Sequence, residues 1–134
     1  ILKIDHIAVA HTDPELLETI LIQILGMNQT KEEFIENEKV NVTKIYAEDK
    51  TTAIELLNPS DRSSTIQKFL DNKGSGIHHI ALTVDSIKDA IADLQLNGID
   101  LVYDVPQKGS DDKLITFIHP KSTPGILIEL CQRA

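Results

Sequence analysis

The sequence predicts an α+β fold in which two pseudo-symmetric βαβββ modules form a curved mixed sheet. Three observations predict it. Ile4-Asp5-His6-Ile7-Ala8-Val9 resembles Ile77-His78-His79-Ile80-Ala81-Leu82, with an offset of 73 residues from His6 to His79. Ala53-Ile54-Glu55-Leu56-Leu57 matches Leu127-Ile128-Glu129-Leu130-Cys131, with an offset of 74 from Glu55 to Glu129. Between these pairs lie helical patterns that end at Gly26 and Gly98, 72 residues apart. Three separated matches at nearly one offset mark one supersecondary unit used twice.

The elements follow in chain order. The first strand, from Ile4 to Ala10, alternates two faces. A helical pattern opens at Thr12-Asp13-Pro14 and runs through Leu16, Leu17, Ile20, Leu21 and Ile24. Asp13 is its N-cap, Pro14 suits its first position and Gly26 its end. A strand is expected around Met27 to Phe34, then strands from Asn41 to Ala47 and Thr52 to Leu57, the last two joined by Glu48-Asp49-Lys50. Ser63 to Asn72 reads as a short helix and Lys73-Gly74-Ser75-Gly76 as a linker. A single domain of two modules, 1–66 and 74–134, results. After the strand around Ile77 to Leu82, the second helix opens at Asp85-Ser86, continues through Ile87, Ile91 and Leu94, and closes at Gly98. Strands are expected at Asp100 to Tyr103, Leu114 to His119 and Ile126 to Cys131.

Bulk properties narrow the function. A length of 134 residues suits one domain with a core of its own. Thirteen basic and 21 acidic residues leave a net charge of −8, which argues against nucleic acid as a partner. No apolar run approaches the roughly 20 residues needed to cross a bilayer, and no signal peptide is visible. The single cysteine, Cys131, makes an internal disulfide impossible and fits a reducing cytoplasm. It reads as a small buried hydrophobe.

The candidate chemistry sits on the repeated strands. His6 shares a face with Ala8 and Ala10, and His79 with Ala81 and Thr83. Small residues beside a histidine leave a hollow for a ligand. Glu55 and Glu129 stand mid-strand among aliphatics, where a carboxylate is costly to bury unless it is paired or bound to a metal. Two histidines and two glutamates at repeated positions solve that cost together, as one divalent metal site of His6, Glu55, His79 and Glu129. Imidazole and oxygen donors without thiolate suit Co, Ni, Zn, Mn or Fe. An octahedral ion would keep two adjacent positions for a substrate with two neighbouring oxygens. His78 points to the other face, and His11 and His119 stand at strand ends, where surface roles are expected.

Paired modules with these ligands resemble the vicinal oxygen chelate, or glyoxalase-like, superfamily. Ile24-Leu25-Gly26-Met27 is similar to a helix end common there. Ile54-Glu55-Leu56-Leu57-Asn58-Pro59, Gly76 to Ala81, and His119-Pro120-Lys121-Ser122-Thr123-Pro124-Gly125 through Leu130 resemble the methylmalonyl-CoA epimerase family. The likeness covers nearly the whole chain. It implies epimerisation of methylmalonyl-CoA by proton transfer alpha to the thioester, through a metal-stabilised enolate. It also implies Glu129 as one acid/base, Lys121 as a contact for a substrate carboxylate or phosphate, and a homodimer. One well-known member of that family carries a catalytic glutamate on the strand corresponding to 41–47; that position aligns with Thr43 or Lys44 here, so it does not carry over, and Glu36, Glu38 and Glu48 lie near it in sequence. A glyoxalase I-type lyase acting on the hemithioacetal of methylglyoxal and a thiol shares the ligand pattern. Such lyases usually carry Asp-Pro-Asp-Gly where this chain has the His-Pro-Lys stretch. A non-catalytic small-molecule-binding protein of the same fold is the third expectation.

Overall fold

The computed structural model describes residues 1–133, and its contacts divide into two compact units. One unit is His6–His78; the other joins Ile1–Asp5 to His79–Ala134. The first five residues therefore belong with the second half of the chain, a division the repeat does not announce.

In the first-half unit the strands are β1 (Lys3–Ala10, from His6 onward), β2 (Asn28–Ile35), β3 (Val40–Tyr46) and β4 (Ala53–Pro59). Their order is β2-β3-β4-β1, with β4 parallel to β1 and the other pairs antiparallel. The other unit carries β5 (Gly76–Thr83, from His79 onward), β6 (Gln107–Lys108), β7 (Leu114–Ile118) and β8 (Ile128–Gln132). Its order, β5-β8-β7-β6, again pairs first and last strands parallel and the rest antiparallel. Each half thus repeats one topology, as the internal repeat predicts.

Side-chain caps open the three α-helices, the first at Asp13 as expected. In α1 (Pro14–Glu18) the Asp13 carboxylate accepts from the Leu16 N–H at 3.1 Å. In α2 (Thr65–Lys73) the Ser64 hydroxyl accepts from Ile66, and in α3 (Ile87–Leu96) that of Ser86 accepts from Asp89 at 3.3 Å. Gly26 and Gly98 close the first and last helical runs at φ +78 and +75, a backbone that a Cβ disfavours. Replacing Ser86 by Ala should lower stability by about 1 kcal/mol, the usual worth of a cap, and denaturant titration would measure it.

Two elements differ from expectation. The first helix widens after Glu18 into a π-helical stretch, Thr19–Ile24, in which the Leu25 N–H reaches the Ile20 carbonyl. Four of its six residues (Thr19, Ile20, Ile22 and Ile24) are β-branched, and their stiff side chains weaken the preference for tight α geometry. The strand expected at Asp100–Tyr103 is reduced to a single bridge between Leu101 and Ile118, flanked by bonds from Val102 to Phe117 and from His119 to Asp100. Pro106 lacks an N–H and holds the residue before it away from a regular ladder, so pairing resumes only at Gln107.

Each sheet half is covered by apolar side chains. In the first, Ala8, Ala10, Val40, Val42 and Leu57 meet Ile66 and Leu70 of α2. In the second, Leu101 and Leu130 meet Ile87 and Ile91 of α3. The small residues after His6 therefore do not leave an open hollow along the whole strand. Helix α2 fills the space over Ala8 and Ala10, and only the end at His6 stays polar. No described helix is long and apolar enough to cross a membrane.

Candidate functional site

Both halves set one histidine and one glutamate in the same register. In the first-half unit Ala8 of β1 pairs with Glu55 of β4; in the other, Ala81 of β5 pairs with Glu129 of β8. Each glutamate thus stands opposite the alanine two residues after its histidine. Alternation puts the histidine and glutamate on one face as diagonal neighbours. His6 Nδ1 lies 3.1 Å from Glu55 Oε2, and His79 Nε2 lies 3.5 Å from Glu129 Oε2. All four side chains are buried. His79 is held edge-on by Phe117, ring centroids 5.5 Å apart.

These pairs fit metal ligation. Nitrogen and oxygen ligands about 2.1 Å from one ion stand roughly 3.0–3.4 Å apart for octahedral to tetrahedral angles. The spacings within the two pairs are close to that range. Glu55 Oε2 is buried and accepts no well-directed hydrogen bond. Its charged and polar neighbours are His6 Nδ1 at 3.1 Å and the Lys44 ammonium at 3.5 Å.

Sequence reasoning reached Lys44 only as a place where a catalytic glutamate does not carry over, and missed its position beside Glu55. Lys44 of β3 pairs directly with Glu55 across the sheet and is buried, its Nζ 3.5 Å from Glu55 Oε2. The available signal was a lysine in the middle of an apolar strand pattern, Val42-Thr43-Lys44-Ile45. A second buried charge group occupies the other unit. Lys113 Nζ meets Asp5 Oδ2 at 2.6 Å, and the Thr83 hydroxyl donates to Asp5 Oδ1 at 3.1 Å. Arg133 and Lys3 lie 3.9 and 4.0 Å from Asp5 Oδ1.

Other expected residues take other places. Lys121 is exposed and 3.0 Å from Asp100 Oδ2, a surface pair on a short 3-10 turn whose first N–H groups His119 helps to cap. Glu36 and Glu38 lie in the turn before β3, and Glu48 lies in the turn after it. His78 stacks edge-on against Phe69 of α2, a structural contact. His11 corrects the expectation of a surface role. It is 5% exposed, and its removal from water pushes its pKa below the ordinary value, against the opposing pull of Asp13. The loop after β1 turns the ring inward, which a strand-end position does not reveal.

Cys131 is buried as expected. Burial, with the charges of Asp5 and Glu129, pushes its thiol up from 9.0 to about 11. The native protein should resist iodoacetamide at pH 8, whereas the unfolded chain should react readily. Because the folded value is the higher one, this group weakens the fold as pH rises past 9.0 towards 11, where only the unfolded chain releases its proton.

Comparison with known proteins gives a consistent result. The family model described as Glyoxalase/Bleomycin resistance protein/Dioxygenase superfamily matches residues 5–117. The mitochondrial methylmalonyl-CoA epimerase of Dictyostelium discoideum is 34% identical over 96% of this chain and 76% of its own length. The crystal structure of methylmalonyl-CoA epimerase from Mycobacterium tuberculosis superposes with a TM-score of 0.93 at 33% identity, covering 98% of this chain and 87% of that one. A Streptomyces coelicolor methylmalonyl-CoA epimerase variant, in complex with 2-nitronate-propionyl-CoA, superposes with a TM-score of 0.91 at 30% identity. It covers all of this chain and 96% of its own. The fold class expected from the internal repeat is the one these structures share.

Proposed function

We propose, from the premise that this chain belongs to the glyoxalase/bleomycin resistance protein/dioxygenase superfamily and groups there with methylmalonyl-CoA epimerases, that it epimerises methylmalonyl-CoA. The observation that carries this reading is the repeated, buried His–Glu pair, set in one register in both halves. His6 and Glu55 from one half, with His79 and Glu129 from the other, would hold one divalent ion. That ion, when bound, supplies a Lewis acid for neighbouring substrate oxygens and lowers the cost of the enolate.

The remaining work falls to the chain. The substrate proton lies between a thioester carbonyl and a carboxylate. Glu129 takes it from one face of that carbon, leaving the electron pair in the enolate, and a proton returned to the opposite face completes the inversion. Phe117 packs against His79 and, with Ile115, Ala81 and Cys131, forms an apolar cluster on that side of the half-sheet. That cluster holds the imidazole in place and limits water near the carboxylate. The buried thiol fits a reducing cytoplasm, and a homodimer is part of the same proposal, which sedimentation would test.

The reaction is tested by incubating the protein with methylmalonyl-CoA in deuterated water, metal-replete or chelator-stripped. Deuterium should enter at the carbon between the carbonyls, stop entering after chelation, and enter again with cobalt or nickel. No exchange in the metal-replete protein would sink the reading. Turnover of a methylglyoxal hemithioacetal in its place would point to the lyase chemistry.

A further inference from the structure

The position facing each glutamate across the antiparallel pair differs between the halves. Lys44 of β3 faces Glu55, whereas Phe117 of β7 faces Glu129. Lys44 and Phe117 stand 73 residues apart, so they are the same position of the repeat. One half fills it with a buried aromatic ring, so the sheet does not require a charge there. The other half keeps an ammonium at 3% exposure, 3.5 Å from Glu55 Oε2. Desolvating an ammonium is expensive, and Glu55 already has His6 Nδ1 at 3.1 Å.

Charge counting gives the lysine a purpose. This step rests on the proposed function. With neutral imidazoles, two ligand carboxylates cancel a divalent ion. The site would then offer no net positive charge to a substrate that carries one carboxylate and gains a second negative charge as its enolate. In a poorly hydrated site that deficit is strongly felt. We propose that Lys44 is the charge-balancing residue of this two-carboxylate site. It restores one positive charge beside Glu55, weakens the ion's hold slightly and strengthens the hold on the anionic substrate and enolate. Lys44 is a positioning and electrostatic residue, acting through the field at Glu55.

The test compares wild type with K44M, K44R, E55Q and the K44M/E55Q double variant. Cobalt affinity is read by competition with a chromophoric chelator, and kcat and KM for methylmalonyl-CoA are measured with saturating cobalt. K44M should bind cobalt about tenfold more tightly and show a KM raised about tenfold or more, one charge at close range being worth a factor of this size. K44R should stay near wild type. The double variant, which loses one carboxylate with the lysine, should recover KM relative to K44M because the site regains its positive charge. It leaves no buried charge without its counter-ion, so it guards against a K44M protein that fails to fold, and thermal melts check all variants. Cobalt affinity and KM unchanged in a folded K44M would overturn the proposal, as would a double variant no better than K44M in KM. Wild-type protein that binds no cobalt would overturn the metal reading itself. Cobalt binding in wild type with an unaltered K44M overturns the role of Lys44 alone.

Discussion

Replacing His79 by Ala should reduce deuterium exchange into methylmalonyl-CoA about a thousandfold or more, matching the several kcal/mol that a bound Lewis acid contributes to such a step. His79 presents Nε2 to Glu129 at 3.5 Å and packs edge-on against Phe117. Its loss would remove a proposed ligand and leave a gap beside Phe117. The catalytic and structural effects separate by measuring stoichiometric cobalt binding and the thermal melt on the same preparation. A metal role requires lost cobalt together with lost exchange in a protein that still melts cooperatively. Full exchange with an empty site would show that the imidazole is not a ligand on which turnover depends. His6→Ala should behave alike, because His6 holds the equivalent register in the other half.

The second large effect concerns stability. Replacing Lys113 by Met should lower it by up to about 3–5 kcal/mol, the range for breaking a buried ion pair, less what Arg133 and Lys3, 3.9 and 4.0 Å from Asp5 Oδ1, still compensate. The lysine and Asp5 are each 4% exposed and meet at 2.6 Å, so neither charge can recover its hydration. For a chain of this length the loss corresponds to a melting point lower by roughly 10–20 °C. Asp5→Asn in the same background should restore much of it, since the orphaned carboxylate is then gone. Thr83, which donates to the same carboxylate, can still donate to an amide oxygen. A melting point unchanged in K113M would mean that water reaches Asp5 and the pair contributes little.

Local pattern carried much of this molecule. The period-2 alternation of β1, β4, β5 and β8 put His6, Glu55, His79 and Glu129 in the right strands, and the N-caps Asp13, Ser64 and Ser86 stand at or within two residues of where side-chain chemistry puts helix starts. Pattern failed where an edge decided the outcome. Asp100–Tyr103 has strand-like residues but forms one bridge, Leu101 to Ile118, before the chain bends away.

By itself, then, the sequence determined the repeat, most of the element types and the strands that carry His6, Glu55, His79 and Glu129, because helix and strand periods are written in near neighbours. Only the tertiary structure decided which groups meet across long separations. Lys113 and Asp5 are 108 residues apart, yet they meet as a buried ion pair at 2.6 Å. Lys44 meets Glu55 through the β3–β4 register, and His11, expected at the surface, is buried. Register and burial are set by the packing of whole elements, and a one-residue shift of β3 against β4 would send Lys44 to the other face.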